Sequence, residues 1–241
     1  MILSGARNVR IFPPELAITG ELLSVIFIME EQVNIIIFGA SGGTGREVVK
    51  QALEAGHLVT AFVRTPSKVN LYHPNLRIVQ GDVMDAPAVD QAIAGQDVVI
   101  STLGPTRPPV PRMMETAARN IITAMNKHGL RRLIATTGAG VRQPEDQPKV
   151  MDTIIGVLLN LLAREVVRDS AEGVRLIQSS DLDWTIARFP RLMDGPHTGK
   201  YRAGYVSKES STQLSRADAA DFVLKELTEN DWLRKLPLVS Y

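Results

Sequence analysis

From Val33 onward, short apolar runs alternate with segments whose apolar residues recur at helical spacing. Val33 to Phe38, Leu58 to Val63, "LRIVQ", Asp97 to Thr102, "LRRLIATTG" and "DWTIARF" read as six strands. Between them, Thr44 to Ala55 places Val48, Val49, Ala52 and Leu53 on one helical face and ends at Gly56. "DAPAVDQAIAG" reads as a short helix with Asp85 as its cap and Pro87 in its first turn. Arg112 to Lys127 reads as a long helix, and "VMDTIIGVLLNLLAREVVRD" as one so apolar that it is either deeply buried or faces a partner. "LSRADAADFVLKELT" opens with Ser215 as N-cap and Asp218 three residues on, a start resembling a capping box. "PRLMDGPHTGKYRAG" is predicted to be a loop, and "LPLVSY" a short edge strand. Strict alternation of this kind winds a parallel sheet, so the expectation is an α/β, doubly wound, three-layer α/β/α single domain.

The first 32 residues stand apart from this pattern. "ELLSVIFIM", Glu21 to Met29, is too short to span a bilayer, and no small-residue cleavage site of a secretory leader follows it. Residues 1 to about 28 read as an appended segment or as an upstream start wrongly chosen; an extra element packed on the body is the open alternative. The expected organisation is an N-terminal extension, 1–32, and a nucleotide-binding domain, 33–241, with a small C-terminal substrate-loop region.

The strand-to-helix junction "NIIIFGASGGTG" carries the first chemical signal. Gly39, Gly42 and Gly45 form G-x-x-G-x-x-G between a buried strand and a helix, where free helix N–H groups and the helix dipole favour a phosphate. Glycine permits the tight turn and the close backbone approach of a pyrophosphate. A turn of small residues serving only helix–sheet packing is the alternative. The second strand ends "AFVRTPSK", with Arg64 and Lys68 where an acidic residue would otherwise take a ribose 2′-hydroxyl. Two cations there fit a 2′-phosphate, which selects NADP(H) over NAD(H); ordinary solvated surface charges are the other reading. Asp82 and Val83 end the third strand, where they could bracket an adenine, although Asp82 also suits a turn leading into a helix. Thr102, Leu103 and Gly104 end the fourth, near the expected nicotinamide ribose.

Composition narrows the partners. Of 241 residues, 27 are Lys or Arg and 26 Asp or Glu, so a net charge of +1 gives no long-range attraction for nucleic acid or an anionic membrane. The absence of cysteine removes disulfides, thiolate metal sites and a thiol nucleophile, and makes the cytoplasm the default compartment. No His/Asp/Glu spacing suggests a metal, and no G-x-S-x-G elbow a hydrolase.

Together "FGASGGTG", "VRTPSK", "GDVMD" and "STLG", followed by "DLDWTIARFPRLMDGP" and "LSRADAADFVL", resemble the atypical short-chain dehydrogenase/reductase group over residues 33 to about 230. The spacing is most similar to the flavin reductase/biliverdin-IXβ reductase family. That resemblance implies a Rossmann-type sheet, NADPH across its strand ends, and hydride transfer to a small conjugated acceptor. It implies that Gly39, Ser41, Gly42, Gly43, Thr44 and Gly45 hold the pyrophosphate and that Arg64 and Lys68 hold the 2′-phosphate. Asp82, Val83, Thr102, Leu103 and Gly104 then line the adenine and ribose positions.

The reaction centre departs from the family pattern. Gly138 stands where those reductases carry a serine, with Thr136 and Thr137 offering hydroxyls nearby, and Arg191 stands where they carry a histidine. Arg191 could hold an acceptor's anionic group or stabilise charge as hydride arrives; a structural pairing with Asp194 or a helix C-terminus competes with that role. None of Tyr72, Tyr201, Tyr205 and Tyr241 has Lys four residues later, so ordinary ketone reduction is disfavoured. Arg107 and Arg112, flanking the proline loop, read as solvated charges, with added anion contacts as the alternative; His57 and His128 read as helix caps, and His197 is the one histidine that could lie near substrate, a surface loop position being the competing reading. The expectation is an NADPH-dependent reductase of a flavin, quinone or tetrapyrrole, with Arg191 and Thr137 as catalytic candidates. The partner is a small-molecule acceptor, without nucleic acid or membrane, and the protein a monomer or homodimer. The rivals are a non-catalytic NADP(H) sensor or scaffold and a nucleotide-sugar epimerase.

Overall fold

Strand β1, Asn34–Phe38, sends its side chains alternately to two apolar layers, which is why its sequence is a continuous hydrophobic run. Ile36 and Phe38 pack on one side of the sheet, and Ile35 and Ile37 on the other. These observations come from a computed structural model in which residues 32–147, 163–207 and 209–241 are described. Residues 32–241 form one compact unit. The extension expected at 1–32 lies outside the described residues except for Gln32, whose Nε2 donates to the Gly56 carbonyl at 2.8 Å.

In chain order the remaining elements are α1 (Gly43–Glu54), β2 (Leu58–Val63), β3 (Leu76–Gln80), α2 (Ala86–Ile93) and β4 (Val98–Ser101). There follow α3 (Met113–His128), β5 (Arg132–Gly138), α4 (Arg164–Gln178), β6 (Asp183–Phe189), β7 (Arg191–Met193), β8 (Arg202–Gly204), β9 (Gln213–Ser215), α5 (Arg216–Lys225) and β10 (Leu238–Ser240). The eight-stranded sheet has the order β3-β2-β1-β4-β5-β6-β10-β8. Its strands are parallel up to β10, and β8 closes the edge antiparallel. Residues of α1 and α5 belong to one apolar layer, and residues of α2, α3 and α4 to the other, giving the expected three-layer doubly wound architecture. Chain direction across the sheet reverses between β1 and β4, the place where such folds open a crevice.

Two expectations are corrected. "LPLVSY" does not form an edge: β10 lies between β6 and β8, and its three residues are buried. The glycine- and proline-rich stretch from 190 to 204 holds two short strands, since β7 pairs with β9 and β8 with β10. The apolar helix expected over 150–169 lies outside the described residues up to 162; among the described residues α4 begins at Arg164 and runs to Gln178. Gly173 lies inside α4, where a Cβ would stand 3.0 Å from the Met114 carbonyl of α3. Glycine lets the two helices approach.

Loop positions are set by charges the hydrophobic pattern could not place. Arg188, fully buried at the end of β6, forms a two-pronged pair with Asp146, Nη1 to Oδ2 at 2.5 Å and Nη2 to Oδ1 at 2.9 Å. It also donates to the carbonyls of Val141 and Leu236, at 3.0 and 2.9 Å. Asp146 in turn accepts from the backbone N–H groups of Gln143 and Val206, and Arg188 leads the groups that hold its carboxyl below the ordinary range against the opposing effect of burial. One buried pair thus ties the loop after β5 to the segments before β10 and after β8.

Candidate functional site

The turn between β1 and α1 is built around glycine for steric reasons. Gly39 sits at φ +80°, and a Cβ on it would meet the backbone of Thr102 at 2.9 Å. A Cβ on Gly45 would run into the Gly39 carbonyl and the Thr102 hydroxyl. Gly42 is the N-cap residue; its N–H donates to the Gly39 carbonyl at 2.9 Å and it supplies no side-chain cap. No acidic residue lies in the first turn of α1. Its N-terminal N–H groups and positive dipole end are therefore open to an external anion. Ser41 and Thr44 make no side-chain hydrogen bond among the described residues.

A cleft runs from this turn across the strand ends, lined by Gly39, Ser41 and Gly42 after β1, Phe62, Val63 and Arg64 at β2, Gly81 and Val83 after β3, and Thr102, Leu103 and Gly104 after β4. All four strand ends singled out in the sequence meet there. Thr102 is fixed by two bonds to the Phe38 carbonyl, from its N–H at 2.9 Å and its hydroxyl at 3.0 Å. Arg64 is exposed, and its guanidinium has no partner among the described residues.

Five further candidates, Gly43, Thr44, Gly45, Lys68 and Asp82, stand back from the cleft lining. Gly43, Thr44 and Gly45 belong to the first turn of α1, and Lys68 is exposed in the short 3₁₀ turn Pro66–Lys68. Asp82 Oδ1 accepts from the Met84 N–H at 2.9 Å, and the Asp82 carbonyl from Asp85 N–H at 3.0 Å, which is the turn role leading into α2. Val83 is buried, and its carbonyl accepts from Asn120 of α3 at 2.9 Å. Phe62 and Gly81 were not singled out in the sequence. The Phe62 ring packs on Phe38 with centroids 5.0 Å apart, and a Cβ on Gly81 would strike that ring. "QGD" after a strand was the available signal.

The candidates for the reaction centre separate. Thr136 and Thr137, half-buried at the end of β5, line a narrow apolar crevice with Ser101, Leu103, Met114 and Ser170 between α3 and α4. Leu103 borders both this crevice and the cleft. Arg191 is exposed on β7, with no side-chain partner among the described residues, and does not line the cleft. Asp194 pairs with Arg216 at 2.7 Å instead. His197 contacts Asp221 of α5 at 3.0 Å, Arg112 pairs with Glu115, and His128 with Asp90.

Sequence spacing concealed a tyrosine–lysine contact. Lys225 Nζ donates to the Tyr201 hydroxyl at 3.3 Å, but that hydroxyl itself donates to Asp221 at 2.6 Å. Burial, then the Asp221 carboxylate, push the phenol well above its ordinary range. The pair is arranged against phenolate formation, the reverse of a proton-donating tyrosine.

The N-terminus of α5 is organised by Asp218. Ser215 Oγ accepts from the Asp218 N–H at 3.0 Å, as the expected cap. The Asp218 carboxylate, fully buried, does not reach back to Ser215; it accepts from Thr198 N–H (2.7 Å), Gly199 N–H (2.9 Å), Thr198 Oγ1 (2.8 Å) and Tyr241 Oη (2.8 Å). Burial raises this carboxyl, but those hydrogen bonds outweigh it and hold it at about 2.

Fold and cleft together define an α/β protein with a cleft across the carboxyl ends of its strands, the place where open α/β sheets receive ligands. The chain belongs to the NAD(P)H-binding family, whose model matches residues 39–230. This agrees with the resemblance to NAD(P)H-binding short-chain dehydrogenase/reductases. It is 30% identical over 204 residues to the uncharacterized protein YwnB of Bacillus subtilis, covering 81% of this chain and 92% of that one. It is also 30% identical over 188 residues to a 3-diazoavenalumate denitrifying reductase of a Streptomyces species, covering 71% of this chain and 60% of the relative. Against a (4-alkanoyl-5-oxo-2,5-dihydrofuran-3-yl)methyl phosphate reductase of Streptomyces griseus the match spans 46% of the relative, so the chain covers only part of these two reductases. The fold is shared with a short-chain dehydrogenase/reductase from Veillonella parvula in complex with NADP, at TM-score 0.71 and 18% identity over 86% of this chain and 94% of that one. It is shared too with ChuY, an anaerobillin reductase from Escherichia coli O157:H7, at TM-score 0.67 and 23% identity over 86% and 96%. Among the described residues no helix is long and apolar enough to cross a membrane, and no His/Asp/Glu cluster suits a metal ion.

Proposed function

We propose that the protein is an NADPH-dependent reductase that delivers hydride to a small conjugated acceptor such as a flavin, quinone or linear tetrapyrrole. The observation that carries this reading is the cleft itself. An uncapped helix start lies at one place along it and Arg64, without a side-chain partner among the described residues, at another, and the glycine turn between them packs directly on the backbone of Thr102. NADPH, when bound, supplies the hydride. The N–H groups at the start of α1, with Ser41 and Thr44, take the pyrophosphate, and Arg64, backed by Lys68, takes the 2′-phosphate. Val83 and Phe62 offer apolar surface to the adenine. Thr102, Leu103 and Gly104 orient the nicotinamide ribose.

On the acceptor side, the hydroxyl of Thr137 and the cation of Arg191 are the groups this chain offers. A conjugated acceptor delocalises the incoming charge, so a fixed cation and correct placement suffice without a proton-donating tyrosine. That requirement matches a chain whose tyrosine–lysine contact opposes phenolate formation. In this reading residues 33–241 are the working domain, acting in the cytoplasm as a monomer or homodimer. A non-catalytic NADP(H) sensor is the second reading, favoured by the same tyrosine and by Arg191 lying outside the cleft lining.

The test is NADPH fluorescence titration followed by oxidation with FMN, dichlorophenolindophenol and simple quinones. Saturable binding with turnover on at least one acceptor is expected. Binding without turnover on any of them selects the sensor, and no binding removes both readings.

A further inference from the structure

We propose that Arg216 is a further cofactor-binding residue, whose guanidinium at the mouth of α1 supplies a cation to the pyrophosphate of the bound dinucleotide. The proposal rests on the dinucleotide reading of the glycine turn and adds to it a residue from the far end of the chain. Arg216 is the first residue of α5, immediately after the cap Ser215. The next carbonyl, of Ala217, is held by Gln51 Nε2 at 2.9 Å, eight residues along α1 from Gly43. The Arg216 side chain nevertheless reaches Gly43, the first residue of α1. A Cβ built there would lie 2.5 Å from its Nε, 2.8 Å from Cδ and 3.3 Å from Cζ.

Direction matters here. Cα–Cβ bonds on a helix tilt toward its N-terminus, so a group in the path of the Gly43 Cβ flanks the open end of α1 rather than its side. The glycine turn from 39 to 45 contains no basic residue of its own. Arg216 therefore brings a positive charge beside the N–H groups that are open to an anion.

The guanidinium is also available. Its side chain is 30% exposed, and its partner among the described residues is Asp194, Nη1 to Oδ1 at 2.7 Å, with Asp194 itself 97% exposed. A pair with so exposed a carboxylate is weakly held, while a diphosphate offers more charge and several acceptor oxygens to the planar fork. Nη2 makes no hydrogen bond among the described residues. A packing role alone explains the missing Cβ at Gly43 but gives the charge nothing to do.

The experiment measures Kd for NADPH, NADH and adenosine 2′-monophosphate with wild type, Arg216→Ala, Arg216→Lys and Asp194→Asn, each checked by thermal melt. Arg216→Ala is expected to weaken NADPH and NADH alike by about tenfold, the scale of one charge-assisted contact. It should leave adenosine 2′-monophosphate, which has no pyrophosphate, unchanged. Arg216→Lys should recover part of the loss. Asp194→Asn, which frees the guanidinium without removing it, is expected to bind NADPH at least as tightly as wild type. Wild-type affinity in Arg216→Ala, an equal loss for adenosine 2′-monophosphate, or weakened binding in Asp194→Asn each overturn the assignment. If Arg216→Ala does not fold, Arg216→Lys and Asp194→Asn decide by the same criteria. A wild-type protein that binds neither dinucleotide overturns the dinucleotide reading itself, a result separate from any of these.

Discussion

Replacing Asp218 by Asn tests the link between a buried charge and the loop that closes on α5. The carboxylate accepts four hydrogen bonds, two of them from backbone N–H groups of Thr198 and Gly199. Its carboxyl falls from the ordinary 3.8 to about 2 in the folded protein. A depression of that size corresponds to about 2 kcal/mol, and screening through the exposed Thr198–Lys200 loop reduces it to about 1–2 kcal/mol. Because the folded value lies below the unfolded one, this stability is present in full above about pH 4. It is lost as pH falls through the folded value near 2. In the Asn variant the amide oxygen still serves Thr198 and Gly199, and the hydroxyls of Thr198 and Tyr241 can turn to accept from the amide nitrogen. What disappears is the charge. Urea unfolding at a series of pH values should show the variant less stable by about 1–2 kcal/mol at pH 7, with the two proteins converging toward pH 2. At about 2–4 °C per kcal/mol, Tm should fall by several degrees. A stability difference that stays constant from pH 7 to pH 2 refutes the reasoning, because it assigns the loss to packing rather than to ionisation.

Further outcomes follow from the buried pair and from the acceptor side. Arg188→Met leaves Asp146 buried without its cation and should cost about 3–5 kcal/mol in urea unfolding; adding Asp146→Leu should recover most of it, and an additive double variant contradicts the pairing. Arg191→Ala should lower turnover with whichever acceptor is active more than it lowers NADPH affinity, and an unchanged rate assigns Arg191 to the surface.

Local pattern made most of the scaffold readable. A buried strand, spaced glycines and a helical period define the β1–α1 turn, and the same alternation placed the strand ends that meet at the cleft. Neighbours in space were harder. "LPLVSY" reads as a strand because it is apolar, but nothing in its period says that β8 lies outside it. The charge inside "DWTIARF" shows no partner in the sequence; Asp146, 42 residues away, is folded onto it. The contact of Arg216 with Gly43 and of Tyr201 with Lys225 join segments with no common pattern. Asp82, read from its place after a strand as either an adenine contact or a turn residue, has its side chain on the turn into α2. Position in a motif names a neighbourhood; side-chain partners decide the role within it.

The central claim is that NADPH lies in this cleft with its 2′-phosphate on Arg64. Its most direct test is the ratio of NADPH to NADH affinity in wild type and Arg64→Ala. Wild type should prefer NADPH, and removing one charge-assisted contact of about 1.5–3 kcal/mol should weaken NADPH by about 10- to 100-fold with little change for NADH. Equal losses for the two dinucleotides, or an unchanged ratio, contradict it.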